Sequence, residues 1–109
     1  MIVNLTPHNV SVADKEGNII QKFEPSGILA RVEVSSKVVS VFNGIEIRKT
    51  VFGDISGIPE QKDGVLYLVS TLVAQVANRQ DVISPDTGST AVRKDGQIVA
   101  VRGFQTFFD

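Results

Sequence analysis

The sequence lacks the side chains on which several common chemistries depend. It contains no cysteine, no tryptophan and a single histidine, His8. The absence of cysteine excludes disulfides, thiolate nucleophiles and zinc sites of the cysteine type. A lone histidine also excludes metal sites that are built from several histidine ligands. We therefore expect no metal site of these kinds.

The chain also has no excess charge of one sign and no long apolar run. It has 11 basic and 12 acidic residues, for a formal net charge of −1. This balance argues against attachment to nucleic acid or to an anionic membrane through bulk charge. No uncharged apolar run approaches the roughly 20 residues of a membrane span, and the N-terminus lacks a basic segment followed by an apolar one. We therefore expect a cytoplasmic protein that binds neither membrane nor nucleic acid.

The residues that are abundant favour β-structure. Valine and isoleucine supply 27 of the 109 residues, and β-branched side chains pack well on a pleated surface. The length fits a single domain over residues 1–109, with a core that needs no disulfide or metal. We predict a mainly β fold of the α+β type, a compact antiparallel β sandwich or barrel of about seven or eight strands with one short helix after a central strand.

Three polar turns between apolar residues predict β-hairpins. They are Asp14–Asn18, Asn43–Gly44 and Lys94–Gly96. Asn-Gly and Asp-Gly are the strongest of these signals, because both turn positions require a positive φ. Apolar and polar residues alternate from Ile28 to Ser35, which predicts a strand with one face buried. The strand that leaves the Asn43–Gly44 turn is expected to run to about residue 52.

The second half of the chain predicts a buried strand followed by the helix. Val65–Val69 is the most apolar run and is expected to be a central strand that is buried on both faces. Ser70 and Thr71 can cap a helix that Asn78 and Arg79 end. Residues 53–64 and 81–89 contain glycine and proline, and both segments are predicted to be loops.

Two candidate sites lie in the first third of the sequence. His8 follows a proline-fixed corner, and an imidazole there can act as a general base or bind an anion. The alternative is a turn in which Asn4 and Thr6 satisfy backbone groups and His8 is merely exposed. Arg31 follows Pro25-Ser26-Gly27 and offers a planar fork for phosphate or carboxylate. The alternative, which the sequence favours, is an ordinary turn followed by a solvated strand residue.

Two further candidate sites flank the predicted helix. Ser70 and Thr71 stand at its N-terminus, where unpaired N–H groups can bind an anion, but both are also ordinary capping residues. Arg79, Asp81 and Asp86 concentrate polar groups after the helix. The two aspartates suggest a pocket or a hard cation such as Mg²⁺. The alternative is that Arg79 caps the helix and that the aspartates form turns.

Nothing in the sequence supports catalysis directly. A Ser70–His8–Asp81 relay can be assembled only on paper, because no Gly-x-Ser-x-Gly elbow is present. The chain has no Gly-Lys-Ser/Thr phosphate loop either, which argues against a nucleotide triphosphatase. We therefore assign no catalytic residue, no metal ligand and no cofactor, and we favour binding over catalysis.

Several segments together resemble a family of small uncharacterised proteins of bacteriophages, prophages and some bacterial genomes. These segments are Asn4-Leu5-Thr6-Pro7-His8, Pro25-Ser26-Gly27 with Ala30-Arg31-Val32, Tyr67-Leu68-Val69-Ser70 with Leu72-Val73-Ala74, Arg79-Gln80-Asp81-Val82, and Pro85-Asp86-Thr87-Gly88. The resemblance spans nearly the whole chain and implies no catalytic residue. It implies action by binding, as small phage proteins often inhibit host defence proteins or trap nucleotide-derived defence signals.

The resulting hypothesis is a phage-type small-ligand-binding protein that sequesters a nucleotide-derived host defence signal without catalysis, in the host cytosol. The predicted ligand is small and anionic or nucleotide-like. Its pocket is expected to combine Thr6, His8, Arg31, Ser70, Thr71, Arg79, Asp81 and Asp86. The alternatives are a protein-binding inhibitor of a host defence protein and a small hydrolase or phosphodiesterase that uses His8. A homo-oligomer is expected, since Phe104, Phe107 and Phe108 are too apolar for a free tail.

Overall fold

The computed structural model describes all residues from Met1 to Asp109. It contains ten strands and one helix. In chain order these are β1 (Ile2–Asn4), β2 (Val10–Ala13), β3 (Ile19–Phe23), β4 (Arg31–Phe42), β5 (Ile45–Ser56), β6 (Leu66–Leu68), α1 (Thr71–Ala77), β7 (Val82–Pro85), β8 (Val92–Lys94), β9 (Gln97–Ala100) and β10 (Phe104–Gln105). The mainly β class with one short helix is confirmed.

The central sheet has the strand order β1-β6-β7-β10. Its first three strands run parallel, and only β10 is antiparallel to its neighbour β7. The prediction of an antiparallel architecture was therefore wrong for this sheet, although it holds for the three hairpins. Parallel neighbours need a crossover connection, and α1 supplies it between β6 and β7. The sheets do not close on themselves, so the structure does not show a barrel.

All three predicted hairpins are confirmed. β2 pairs with β3, β4 with β5, and β8 with β9, each pair antiparallel. The two short turns adopt the positive φ values that their sequences require. Asn43 and Gly44 have φ of 50° and 78°, and Asp95 and Gly96 have φ of 53° and 80°. The turn chemistry therefore determines both register and position here.

The helix begins and ends where the sequence predicts. Ser70 is its N-cap, and the Ser70 hydroxyl accepts a hydrogen bond from the Val73 N–H at 3.4 Å. Asn78 ends it in the left-handed conformation with φ of 47°. With seven residues, α1 depends on packing for its stability. No helix in the structure has the length and apolar character needed to cross a membrane.

The hydrophobic core is small and lies between α1 and one face of the central sheet. Its six fully buried members are Leu5, Tyr67, Val69, Val73, Ala74 and Val82. Only 15 of the 109 residues are buried, because a large part of the chain projects away from this core. The β6 segment is central as predicted, with Tyr67 and Leu68 almost completely inaccessible.

That projecting part is the distal portion of the β4–β5 hairpin, residues 34–52, which we call the arm. Each strand has 12 residues, so the hairpin is about 40 Å long. Every residue of the arm is exposed, whereas Val32 and Ile55 at its base pack against the core. The half-buried strand predicted over Ile28–Ser35 is therefore wrong at both ends, because the strand begins only at Arg31, Ile28 is exposed, and the burial ends at Val32. The radius of gyration is 16.5 Å, against about 13 Å for a compact chain of this size.

Two predicted loops and the C-terminal segment also differ from expectation in part. β5 continues to Ser56, so the loop begins at Gly57 rather than at residue 53. The segment 81–89 contains β7, a buried strand of four residues. At the C-terminus, Phe104 makes an edge-on contact with Phe23, with ring centroids 5.9 Å apart. Phe107 packs against the core, while Phe108 is exposed.

Candidate functional site

The carboxyl ends of β1, β6 and β7 meet at one edge of the central sheet, because these strands are parallel. In open sheets of this kind, ligands bind in the crevice outside the carboxyl ends of the strands. The segments that follow the three strands contain most of the predicted site residues, Thr6 and His8 after β1, Ser70 and Thr71 after β6, and Asp86 after β7. The topology therefore places five of the eight at one edge.

The corner after β1 is built around a buried amide. The Asn4 side chain is 2% exposed. Its amide nitrogen donates to the backbone oxygens of His8 at 2.8 Å and Phe23 at 3.1 Å. Its amide oxygen accepts from the backbone N–H of Thr6 at 2.9 Å and from the Thr6 hydroxyl at 2.7 Å. Asn4 and Thr6 thus fix the backbone that presents the exposed His8.

His8 lies on the wall of a cavity of about 320 Å³, which we call the carboxyl-edge cavity. Three segments form this cavity. They are residues 8–11 at the start of β2, Pro85 and Thr87 at the end of β7, and residues 98–101 in β9 and just after it. The lining residues are His8, Asn9, Val10, Ser11, Pro85, Thr87, Ile98, Val99, Ala100 and Val101. The surface of the cavity is mostly apolar, and the polar side chains among its lining residues are an imidazole, an amide and two hydroxyl groups.

Asp86 holds the turn that carries Thr87. The Asp86 carboxylate accepts from the Gly88 N–H at 3.1 Å. The Asp86 backbone N–H donates to the Gly103 carbonyl at 3.0 Å. The half-buried Asp86 therefore fixes the local turn, as the alternative interpretation of the sequence proposed, and its neighbour Thr87 lines the cavity.

Three of the predicted residues lie near this edge without lining the cavity. Ser70 is the N-cap of α1, and its hydroxyl accepts a hydrogen bond from the Val73 N–H. Thr71 is half-buried at the first helical position. Arg31 is exposed at the base of the arm, next to Ala30, whose N–H donates to the Leu5 carbonyl at 3.0 Å. These contacts give Ser70 a structural role.

Arg79 and Asp81 lie at the opposite edge, before β7 begins. The Arg79 guanidinium donates two hydrogen bonds to the Asp81 carboxylate, at 2.9 and 2.6 Å, and a third to the Pro59 carbonyl at 3.1 Å. The Asp81 side chain is 4% exposed, and that of Arg79 is 32% exposed. This bidentate pair ties the loop containing Pro59 to the segment before β7, so the guanidinium is already engaged.

The separation of the aspartates excludes the shared sites considered from the sequence. Asp81 precedes β7 and Asp86 follows it. Five residues of extended chain place their Cα atoms roughly 16 Å apart, which is too far for one Mg²⁺ to join them. Ser70, His8 and Asp81 also do not form a catalytic relay, because Asp81 lies at the edge of the sheet opposite to His8 and Ser70. The eight residues therefore do not converge on one cavity.

A second, larger cavity of about 480 Å³ lies at the opposite edge, and Asp81 lines it. Its other lining residues are Met1, Ile2, Gln61, Lys62, Asp63, Gly64, Val65, Leu66 and Gln80. Two of its polar groups are already paired: the Met1 amino group donates to the Gly64 carbonyl at 2.7 Å, and Asp81 binds Arg79. We therefore take the carboxyl-edge cavity as the candidate site.

Sequence reasoning missed much of the cavity wall. Thr87 stands within the Ser-Pro-Asp-Thr-Gly segment, where its neighbour Asp86 was chosen instead. Ser11 and Asn9 follow His8 closely enough to have been candidates. Ile98 and Val99 gave no local signal, since they reach the cavity only through the pairing of Val101 with Val12.

Comparisons of the chain with protein-family models, curated proteins and solved structures give no match.

Proposed function

We propose that this protein binds a small anionic, nucleotide-like molecule in the carboxyl-edge cavity and holds it without chemical change. The observation that carries the proposal is the cavity of about 320 Å³ at the carboxyl ends of the parallel strands, with His8 and Thr87 in its lining. Ligand pockets measure roughly 300–1,000 Å³, so this one fits a mononucleotide better than a dinucleotide.

The lining residues match the two chemical halves of such a ligand. The imidazole of His8 and the hydroxyls of Ser11 and Thr87 supply hydrogen-bonding groups for a phosphate or a ribose. Val10 and Ile98 supply an apolar surface against which a base can lie. Asn4 and Asp86 position the two polar segments, because their side chains fix the turns that carry His8 and Thr87.

The biological setting belongs to the same proposal. A phage-encoded protein in the host cytosol would act by sequestering a nucleotide-derived defence signal, which requires affinity and no catalytic group. The resemblance of motifs such as Asn4-Leu5-Thr6-Pro7-His8 to small phage and prophage proteins supports this setting.

We also propose that the layers form a sandwich around the site. The hairpins β2–β3 and β8–β9 would form the second layer, against the central sheet. The Phe23–Phe104 contact and the bridge between Val12 and Val101 support this arrangement, in which the cavity lies at one end of the two layers.

A thermal-shift screen tests the proposal. The panel would contain mononucleotides, cyclic nucleotides and ADP-ribose derivatives, and the protein bound to any hit would be heated to release the ligand for mass analysis. We expect at least one compound to raise the melting temperature and to be recovered intact. A changed product would instead indicate the hydrolase alternative, and no shift with any compound would contradict the proposal.

Matched variants locate the site. His8→Ala and Thr87→Val alter the carboxyl-edge cavity, and Gln80→Ala alters the cavity at the opposite edge. We expect the first two to weaken binding about tenfold or more, which corresponds to roughly 1.4 kcal/mol, and Gln80→Ala to have no effect. Weaker binding by Gln80→Ala, with no effect of His8→Ala or Thr87→Val, would show that the ligand binds in the cavity at the opposite edge.

A further inference from the structure

The arm is an apolar surface that nothing else in the chain covers. Nine of its large apolar side chains are between 41% and 67% exposed. They are Val34, Val38, Val39, Val41, Phe42, Ile45, Ile47, Val51 and Phe52. They are divided between the two sides of the hairpin, so each side exposes on the order of 400 Å² of apolar surface, which is the size of the largest apolar patch of a typical monomer, and such a patch is often functional. An isolated two-stranded hairpin is also only marginally stable in water.

The register divides the arm into two faces, because cross-strand partners point to the same side and successive residues alternate. We call one the valine face; it contains the pairs Val34–Phe52, Ser36–Thr50, Val38–Arg48 and Val41–Glu46. We call the other the lysine face; it contains Ser35–Val51, Lys37–Lys49, Ser40–Ile47 and Phe42–Ile45.

The charges differ between these faces. On the valine face, Arg48 donates to Glu46 at 2.7 Å, so its two charges neutralise each other. On the lysine face, Lys37 and Lys49 stand directly opposite one another and have no salt-bridge partner. Burying two like, unpaired charges is costly. Both faces expose large apolar side chains, and the two unpaired lysines make burial of the lysine face more costly than burial of the valine face.

We propose that the valine face is the docking surface for the valine face of a second copy of this chain, in a two-fold dimer. A two-fold contact sets each surface against its own copy, which suits a face without net charge. Ser36 and Thr50 also suit self-pairing, because a hydroxyl both donates and accepts hydrogen bonds. A charged partner would find no complementary excess charge here.

The available area agrees with this partner. The exposed apolar side chains of the valine face amount to about 350 Å² per copy, and the hydroxyl and ion-paired side chains add to this. Two copies would bury roughly 1,200 Å² in all, at the lower end of stable interfaces. Interfaces at this end of the range are often transient, so we expect the dimer to be in equilibrium with the monomer.

Light scattering combined with gel filtration, over a series of micromolar concentrations, tests the dimer. The chain has a mass of 11.8 kDa, and we expect the wild-type protein to approach twice this mass. Val41→Lys places a charge on the valine face opposite Glu46, so the monomer should stay folded, as its circular dichroism would show. This variant should raise the dissociation constant at least tenfold.

Ile45→Lys is the matched control, because Ile45 is 67% exposed and Val41 61% exposed near the same tip, but on opposite faces. Ile20→Lys, 65% exposed on β3, controls for loss of surface hydrophobicity outside the arm. Both should dimerise as the wild type does. The proposal would be overturned by a wild-type protein that is monomeric at every concentration. It would also be overturned if the wild type formed a complex only with another protein. Dimerisation that Ile45→Lys weakens and Val41→Lys does not would overturn it as well.

Discussion

Asn4 is the residue on which the local structure of the site depends most. Its side chain makes four hydrogen bonds, to the backbone of three residues and to one hydroxyl. Because it is buried, removal of the amide leaves several polar groups without partners, each costing about 1–3 kcal/mol. The corner that presents His8 would then lose its fixed shape.

Asn4→Ala is expected to lower the free energy of unfolding by about 3 kcal/mol. Urea unfolding followed by circular dichroism measures this effect. Asn18→Ala, at an exposed turn position, is the control and should change stability by less than about 0.5 kcal/mol. Equal effects of the two substitutions would show that the hydrogen bonds of Asn4 contribute little.

Arg79 provides a second test at this scale, because it neutralises the buried carboxylate of Asp81. Arg79→Ala should cost about 3 kcal/mol, since breaking a buried pair leaves a charge without compensation. Arg48→Ala removes an exposed pair and should cost less than about 1 kcal/mol. Urea unfolding at low protein concentration, which limits any contribution from self-association, compares the two. A smaller loss for Arg79→Ala than for Arg48→Ala would contradict the structural role assigned to Arg79.

Ser84 is the opposite case, a buried hydroxyl that has no hydrogen-bond partner. Such a group pays for its desolvation without compensation. Ser84→Ala should therefore leave the free energy of unfolding unchanged or raise it by about 1 kcal/mol. Chemical unfolding measures the change, and a loss of more than about 1 kcal/mol would mean that the hydroxyl makes a stabilising contact.

The individual elements show where local sequence is sufficient and where it is not. The turns Asn43–Gly44 and Asp95–Gly96 and the cap residues Ser70 and Asn78 each depend on a few adjacent residues, and all were predictable. β7 was not, because its four residues end in Pro85 and have no alternation of their own. Its place in the sheet depends on pairing with β6 and β10, and Val82 is buried against α1, so neither contact is local in sequence.

The path of the chain after β5 depends on a glycine. Gly57 has φ of 86°, and a Cβ there would overlap the Leu29 carbonyl oxygen. Gly96 has φ of 80°, but nothing lies within 4 Å of its Cβ position. Gly96→Ala should cost about 1–2 kcal/mol for the left-handed conformation alone, and Gly57→Ala roughly 3 kcal/mol or more. Equal costs in urea unfolding would exclude a close approach between residues 29 and 57.

At the scale of the whole molecule, the hydrophobic pattern identified strands but not their partners. The alternation from Ile28 to Val34 is that of a strand with one buried face, yet the strand begins only at Arg31 and no other element packs on it beyond Val32. The pattern is explained if a second copy covers the valine face. Likewise, His8, Asp81 and Asp86 all carry plausible chemistry, but only the parallel topology decides which of them share an edge.

The central claim is that the carboxyl-edge cavity binds a nucleotide-like anion. The most direct measurement is a titration of ¹⁵N-labelled protein with millimolar AMP, and with inorganic phosphate in parallel, followed by amide chemical shifts. We predict that AMP shifts the amides of His8, Ser11, Thr87 and Ile98, and that phosphate shifts only the polar subset. Amides that stay unchanged at these positions, or shifts confined to residues 61–66 and Gln80 at the opposite edge, would contradict the claim.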